Sequence, residues 1–259
     1  MRGEVNLNGD LGESFGRFQI GDDVGLMESI ASANIACGFH GGDPTIMHQA
    51  VGAAVKGSVS IGAHPGFNDL WGFGRREIKM SERDVEYLVT YQIGALDAVA
   101  RASGGSVTHV KPHGALMIMA ATDLELALAI GRAIKAFNKD LIYLGFAKTE
   151  VERASKKLGL RFAMEAYADR TYEDDGKLTP RSVPNSLIAD PQQAIAHVLR
   201  MLDEGALISR SGQRLKTDIH SFCVHGDEPS APAVAKGVKS ALQKAGFDVV
   251  PLSDMRALS

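Results

Sequence analysis

The chain has 259 residues, 45% of them apolar and 23% charged, long enough to bury a full core without disulfide or metal staples and about the size of one β/α barrel. Its 28 Lys and Arg against 31 Asp and Glu give a formal net charge of −3, which argues against nucleic-acid binding through bulk positive charge. Cys37 and Cys223 are the only cysteines, carboxylates stand where a signal peptide would carry its apolar stretch, and no window approaches the ~20 apolar residues of a membrane span; a cytoplasmic protein with no membrane partner is expected.

Short apolar runs at 4–8, 34–37, 59–63, 107–111, 141–145, 161–166, 219–224 and 247–251 read as strands. Several lack strict alternation, as strands covered on both faces do. Between them, helical spacing runs over 45–55, 81–102, 123–137, 149–158, 191–202 and 231–245. Ser81 with Asp84 forms a capping arrangement, and Asp190 before Pro191 pairs an N-cap with proline at the first helical position. Strand and helix alternate from end to end with no linker or low-complexity tract, which predicts one domain over 1–259 around a parallel sheet.

The polar chemistry follows the strands. Asp10 and Glu13 come after the first run, His40 and Asp43 after the second, and His64 after the third. Lys111 and His113 end the fourth, Glu165, Asp169 and Arg170 end the sixth, and His225 and Asp227 follow the seventh. An open doubly wound sheet gathers its ligand residues near one switch point, whereas a barrel gathers them from nearly every strand at one rim. A closed or nearly closed barrel of seven or eight strands is therefore predicted.

Five segments carry the site. In NIACGFHGGDPTIMHQ, Gly38, Gly41 and Gly42 permit tight turns, and Asp43 suits a helix cap or an anion-facing rim position. The plainer reading, a glycine-rich turn with a hydrogen-bonded His40, weighs about equally. In SIGAHPGFNDLWGFGRREI, His64 precedes Pro65 and so favours extended geometry at a strand end. Arg75 and Arg76 suit a carboxylate or phosphate, although a surface ion pair explains Arg76 as well. In THVKPHGALMIM, Lys111 and His113 fall on one side of an extended segment, while His109 reads as a satisfied core histidine. EAYADRTYEDDGKLTPR reads as one long loop carrying Glu165, Asp169 and Arg170. FCVHGDEPSAP repeats the strand, His-Gly-Asp, helix pattern around His225, with Cys223 a small buried residue. Asp10, His40, His64, His113, Glu165 and His225 together have the donor types for a divalent metal such as zinc or manganese. No Walker-type phosphate loop and no G-x-S-x-G elbow is present.

Taken in order, LNGDLGESFG, ANIACGFHGGDP, IGAHPGF-ND-WGFGRR, VKPHGAL, ADRTYEDDGKLTPR and CVHGD span residues 7–227. In these strings the chain resembles the lactam-utilisation family, the A-subunit proteins of 5-oxoprolinase. It departs from the family pattern where Met117 and Ile118 follow KPHGAL, and at Pro184-Asn185-Ser186, where the family pattern has a Gly-containing stretch. The resemblance implies a seven-stranded, TIM-like barrel related to carbohydrate deacetylases. It implies ATP-dependent cleavage of 5-oxo-L-proline to L-glutamate together with two further subunits, and ATP as a co-substrate held by those partners accords with the missing phosphate loop. Strand-end placement then assigns Asp10, supported by Glu13, to activating water, and His40, His64 and His113 to moving protons or polarising the carbonyl. Lys111 and Arg75 would hold the substrate carboxylate or an activated oxygen, with Asp43, Glu165, Asp169, Arg170 and His225 as further substrate contacts. A stand-alone metal-dependent deacetylase or amidohydrolase, and a non-catalytic lactam-binding protein, are the alternatives.

Overall fold

The structure is a computed structural model that describes residues 3–258. In chain order its elements are β1 (Gly3–Leu11), α1 (Asp23–Met27), β2 (Ser32–Ala36), α2 (Pro44–Gly57), β3 (Ser60–His64), α3 (Glu82–Ala102), β4 (Val107–Val110), α4 (Gly114–Ala120), α5 (Leu124–Phe137), β5 (Ile142–Phe146), α6 (Glu150–Leu158) and β6 (Arg161–Tyr167). They continue with α7 (Pro191–Glu204), β7 (Ala206–Ile208), β8 (Arg214–Lys216), β9 (Ser221–Val224), α8 (Ala231–Lys244) and β10 (Phe247–Val249).

β1 to β6 pair in sequence order, all parallel, and β9 closes the ring by pairing with both β6 and β1. The barrel therefore has seven strands. The expected run at 247–251 is a strand over its first residues, but it pairs only with Gly3–Val5 of β1, outside the ring. Strands β7 and β8 form a separate antiparallel hairpin that the sequence reading did not contain. The expected first strand also runs longer, to Leu11, because Leu11 still pairs with Ile35 of β2. Asp10 thus sits inside a strand rather than after it.

Apolar helix faces cover the outside of the ring. Leu7, Leu11, Ile35, Ile61, Val89, Ile93, Leu116, Ile130 and Phe222 belong to one large buried cluster. At the base, the C-terminal 3-10 turns bring Leu252, Met255 and Leu258 against Ile142, Leu144 and Ala163. The helix starts are locally encoded: Asp43, Ser81, Asp123 and Asp190 each accept backbone N–H bonds at the first turn of α2, α3, α5 and α7.

Along β1, β2 and β4 the barrel interior is polar, unlike the packed apolar layers usual for this architecture. Asn6, Asn8 and Asp10 occupy alternate positions of β1, so the period of two turns all three to one side. Asn6 donates to Ser32 and accepts from Ser221, and Asn8 donates to Ser221 and Glu165. Asn34 of β2 donates to Asn8 and to Asp10 at 2.7 and 2.8 Å. His109 of β4 bonds Asn34 at 3.0 Å and Thr108 at 2.9 Å, the satisfied core histidine expected. A connected network of this kind leaves few unpaired groups and holds Asp10 in one orientation.

Candidate active site

At the top of this ladder Lys111, the residue after β4, lies between two carboxylates. Its Nζ is 2.9 Å from Asp10 Oδ1 and 3.0 Å from Glu165 Oε1, and it donates to Cys223 Sγ at 3.0 Å. Its ammonium also stands 5.2 Å from the centre of the Tyr167 ring. All of these groups are buried. Burial opposes the charge on Lys111, but Asp10, Cys223 and Glu165 hold it well above its ordinary value. Burial likewise opposes ionisation of Asp10, yet Lys111, with His64 and His225, keeps it below the usual carboxylate range. For Glu165 burial wins and raises the carboxyl; its Oε2 has no hydrogen-bond partner among the described residues. One cation is thus shared unequally, with Asp10 the ionised partner.

Beside it, four donors from four strand ends converge. Glu13 Oε1 lies 3.0 Å from His40 Nε2, 3.2 Å from His113 Nδ1 and 3.9 Å from His64 Nε2. His64 Nε2 and His113 Nδ1 are 3.0 Å apart, and His64 Nε2 is 3.6 Å from Asp10 Oδ2. The rings of His40 and His113 stack at 3.6 Å with 4° between their planes. His64 Nδ1 is 2.6 Å from the Lys111 carbonyl, and His113 Nε2 is 2.7 Å from the Phe73 carbonyl. Burial pushes His40 down to about 4 and His64 down to about 3, the effect of Glu13 and Asp10 notwithstanding. Glu13 is held well below its ordinary value despite burial, by the imidazoles of His113 and His40 beside it.

The loop after β3 closes this cluster from above. Gly74 has φ +62°, and a Cβ there would stand 2.6 Å from His40 Cβ and 2.8 Å from His113 Cδ2; only glycine fits. Asp69 accepts from the Gly72 N–H and pairs with Arg76, so Arg76 makes the surface ion pair that its plainer reading anticipated. Arg75 reaches across the mouth to Asp227 at 2.6 Å and lies over the Phe73 ring. On the far side Asp169 accepts from the His225 backbone and ring, and His225 stacks on Tyr167 at 4.9 Å.

Asp10, Glu13, His40, His64, Lys111, His113 and Glu165 therefore meet in one buried cluster, with Asp169 and His225 bordering it through Tyr167 and Arg75 at its rim. Two residues stand apart. Asp43 caps α2, its carboxylate taking the N–H groups of Gly16, Thr45 and Ile46. The Arg170 guanidinium donates to the carbonyls of Thr179 and Ser186 and ties the long loop to itself. Both were expected to contact substrate; their polar atoms are engaged in holding backbone instead. Of the metal-donor set read from the sequence, Asp10 and Glu165 are taken by Lys111 and His225 by Asp169, whereas Glu13 joins the histidines. The sequence reading missed Asn8, Asn34, Tyr167 and the contact of Cys223 with Lys111. The N-L-N-G-D alternation of β1 was the available signal for the asparagines.

The LamB/YcsF family model matches residues 5–257, and the chain belongs to that family. It is 48% identical over 252 residues to the A-subunit of 5-oxoprolinase from Azoarcus sp. (strain BH72), covering 97% of this chain and 98% of that protein. It superposes on the crystal structure of the lactam utilization protein from Thermus thermophilus with a TM-score of 0.90 at 44% identity, over 96% of this chain and 100% of that one. A peptidoglycan N-acetylglucosamine deacetylase catalytic domain from Eubacterium rectale shares the fold at a TM-score of 0.50 and 10% identity, over 96% of this chain and 87% of that one.

Proposed function

We propose that this member of the LamB/YcsF family opens the lactam ring of 5-oxo-L-proline to give L-glutamate, as one component of a cytoplasmic, ATP-dependent 5-oxoprolinase whose two partner subunits carry the ATP step. The observation that carries the reading is the placement of Asp10. It is a buried carboxyl paired with Lys111, with Oδ1 fixed by Asn34 and Lys111 and Oδ2 turned toward His64.

Water beside Oδ2 gives its proton to Asp10 and attacks the lactam carbonyl carbon. The carbonyl oxygen would lie on the side of Glu13 and the three histidines, where a positive centre held by their inward atoms would stabilise the charge that develops on it. The C–N bond then breaks. His225, oriented through Nδ1 by Asp169, protonates the departing ring nitrogen. Lys111 has its donors on Asp10, Glu165 and Cys223, so it sustains the base rather than gripping substrate. Arg75, one-third exposed at the rim, exchanges Asp227 for the substrate carboxylate. A five-membered lactam closes readily because its ends are held at high effective concentration. Coupling to ATP at the partner subunits supplies the drive for opening.

The test is glutamate release from 5-oxoproline by this chain alone and with the two partner subunits, each with and without ATP. Release is expected only from the complete, ATP-supplied mixture. Release by the chain alone without ATP contradicts the division of labour. Full activity of an Asp10→Ala assembly contradicts a catalytic role and favours a lactam-carrying protein.

A further inference from the structure

We propose that Glu13, His40, His64 and His113 form the binding site for one divalent transition-metal ion of zinc or manganese chemistry, deep in the rim between β1 and β4. The inference deepens the reading of this pocket as a reaction centre and rests on it for its purpose, but metal binding is measured without substrate.

The argument starts from hydrogen positions. His64 Nδ1 and His113 Nε2 each face a backbone carbonyl, at 2.6 and 2.7 Å. A carbonyl only accepts, so both nitrogens carry their N–H there. In the neutral rings the other nitrogens, His64 Nε2 and His113 Nδ1, are then bare lone pairs. They face each other at 3.0 Å, with the Glu13 Oε1 acceptor 3.2 Å from one and 3.9 Å from the other. Three acceptors pointed at one another repel unless something positive lies between them. The His40 Nε2 atom completes the set at 3.0 Å from the same Glu13 oxygen, and all four donor atoms lie within 4.8 Å of one another.

Geometry favours a metal over a shared proton. A proton bridges two atoms, whereas here four donors converge. Zn–N bonds of 2.0–2.1 Å place neighbouring tetrahedral ligands about 3.3 Å apart, and the separations of 3.0, 3.0, 3.2 and 3.9 Å span that value. Histidine ligands that give their outer N–H to a backbone carbonyl are the usual support of such sites, because the bond fixes tautomer and ring direction. Three imidazoles and one carboxylate suit zinc or manganese rather than calcium or magnesium. The neighbouring Asp10 stays outside the set, since Lys111 and Asn34 hold its Oδ1. It remains available as a base beside the ion, and the ion would supply a Lewis acid facing the carbonyl oxygen.

The test uses the full chain, stripped by dialysis against a chelator and titrated with Zn²⁺, Mn²⁺ or Co²⁺ alone. Calorimetry should give one ion per chain, Co²⁺ should develop visible absorption of a histidine-ligated site, and the ion should raise the melting temperature. Glu13→Gln and His113→Ala should each weaken binding by more than the ~10–100-fold that disturbing a supporting partner causes. Replacement of exposed His48 by Ala should leave binding unchanged. Because Glu13→Gln keeps the shape of the side chain, it decides the matter if His113→Ala does not fold. A stripped wild-type chain that takes up none of the three ions, or a folded Glu13→Gln variant that binds as tightly as wild type, overturns the proposal; a shared proton then holds the cluster. An assembly that binds metal but releases no glutamate would instead sink the lactam-opening reading and leave the metal site standing.

Discussion

The rim of the barrel has two halves assembled from similar residues. On the β1–β4 side, His64 and His113 are anchored by their outer nitrogens to the Lys111 and Phe73 carbonyls and His40 stacks on His113, while the inner atoms of these three and of Glu13 face one another. On the β6–β9 side most of the charged groups pair with one another or with backbone. Asp169 pairs with His225, Arg181 with Glu228, and Arg170 with two carbonyls. The first arrangement aims its polar atoms at a common centre; the second holds loops together. Asp10 and Lys111 sit at the seam, and the difference shows that a residue type at a strand end does not by itself make a ligand contact. What matters is which of its atoms the backbone has already taken.

Substitutions at the seam and on each half test that contrast. Lys111→Met should have the largest effect, since it strands the ionised Asp10 in a buried site. A loss of about 3–5 kcal/mol is expected in urea denaturation, and a loss under about 1 kcal/mol would show that Asp10 finds another partner. Asp10→Ala should lower glutamate release by the assembled enzyme on the order of 100-fold, about 2.7 kcal/mol of barrel-rim chemistry, with binding of the partner subunits retained.

Acidity separates groups within the β1–β4 side. Burial, opposed by the bond from the Gly12 N–H, raises Asp23 from 3.8 to about 6. Between those values the folded chain keeps a proton that the unfolded chain has released, so this group lowers stability as pH rises through the window. Histidines have the opposite sign. Burial lowers His40, His64 and His109 from 6.5 to about 4, 3 and 3. The unfolded chain therefore binds their protons first, and stability is lost as pH falls below about 6.5. Asp23→Asn should remove the first slope and stabilise the protein near neutral pH by at most about 3 kcal/mol, while the acid-side loss remains. Equal slopes in both proteins would contradict the assignment. Smallest of all, Asp43→Ala should cost about 1 kcal/mol through the lost α2 cap, with KM and kcat of the assembled enzyme unchanged. A raised KM would return Asp43 to the substrate.

Much of this fold was legible because strand-end chemistry repeats with the strands. The GFHGGD, AHPGF, KPHGAL and VHGD segments each end a strand with a polar residue, and that pattern alone called for a closed ring. Residues 247–251 looked like the other runs, and nothing local distinguishes a strand in the ring from one pairing at its base. The β7–β8 hairpin is only three residues per strand, too short to leave a period. The site divides in the same way. Its members were readable from position, but their states were not: Asp43 and Arg170 have the right chemistry, and only three-dimensional partners show their atoms occupied. Cys223 looked inert inside an apolar run, yet the period of β9 turns it toward Lys111.

The most direct measurement is a crystal structure of the chain, or of the assembled enzyme, with 5-oxo-L-proline bound. The account predicts the ring carbonyl between Asp10 and the three histidines, the ring nitrogen toward His225 and the carboxylate at Arg75. Ligand density at another surface, with none beside Asp10, would contradict it.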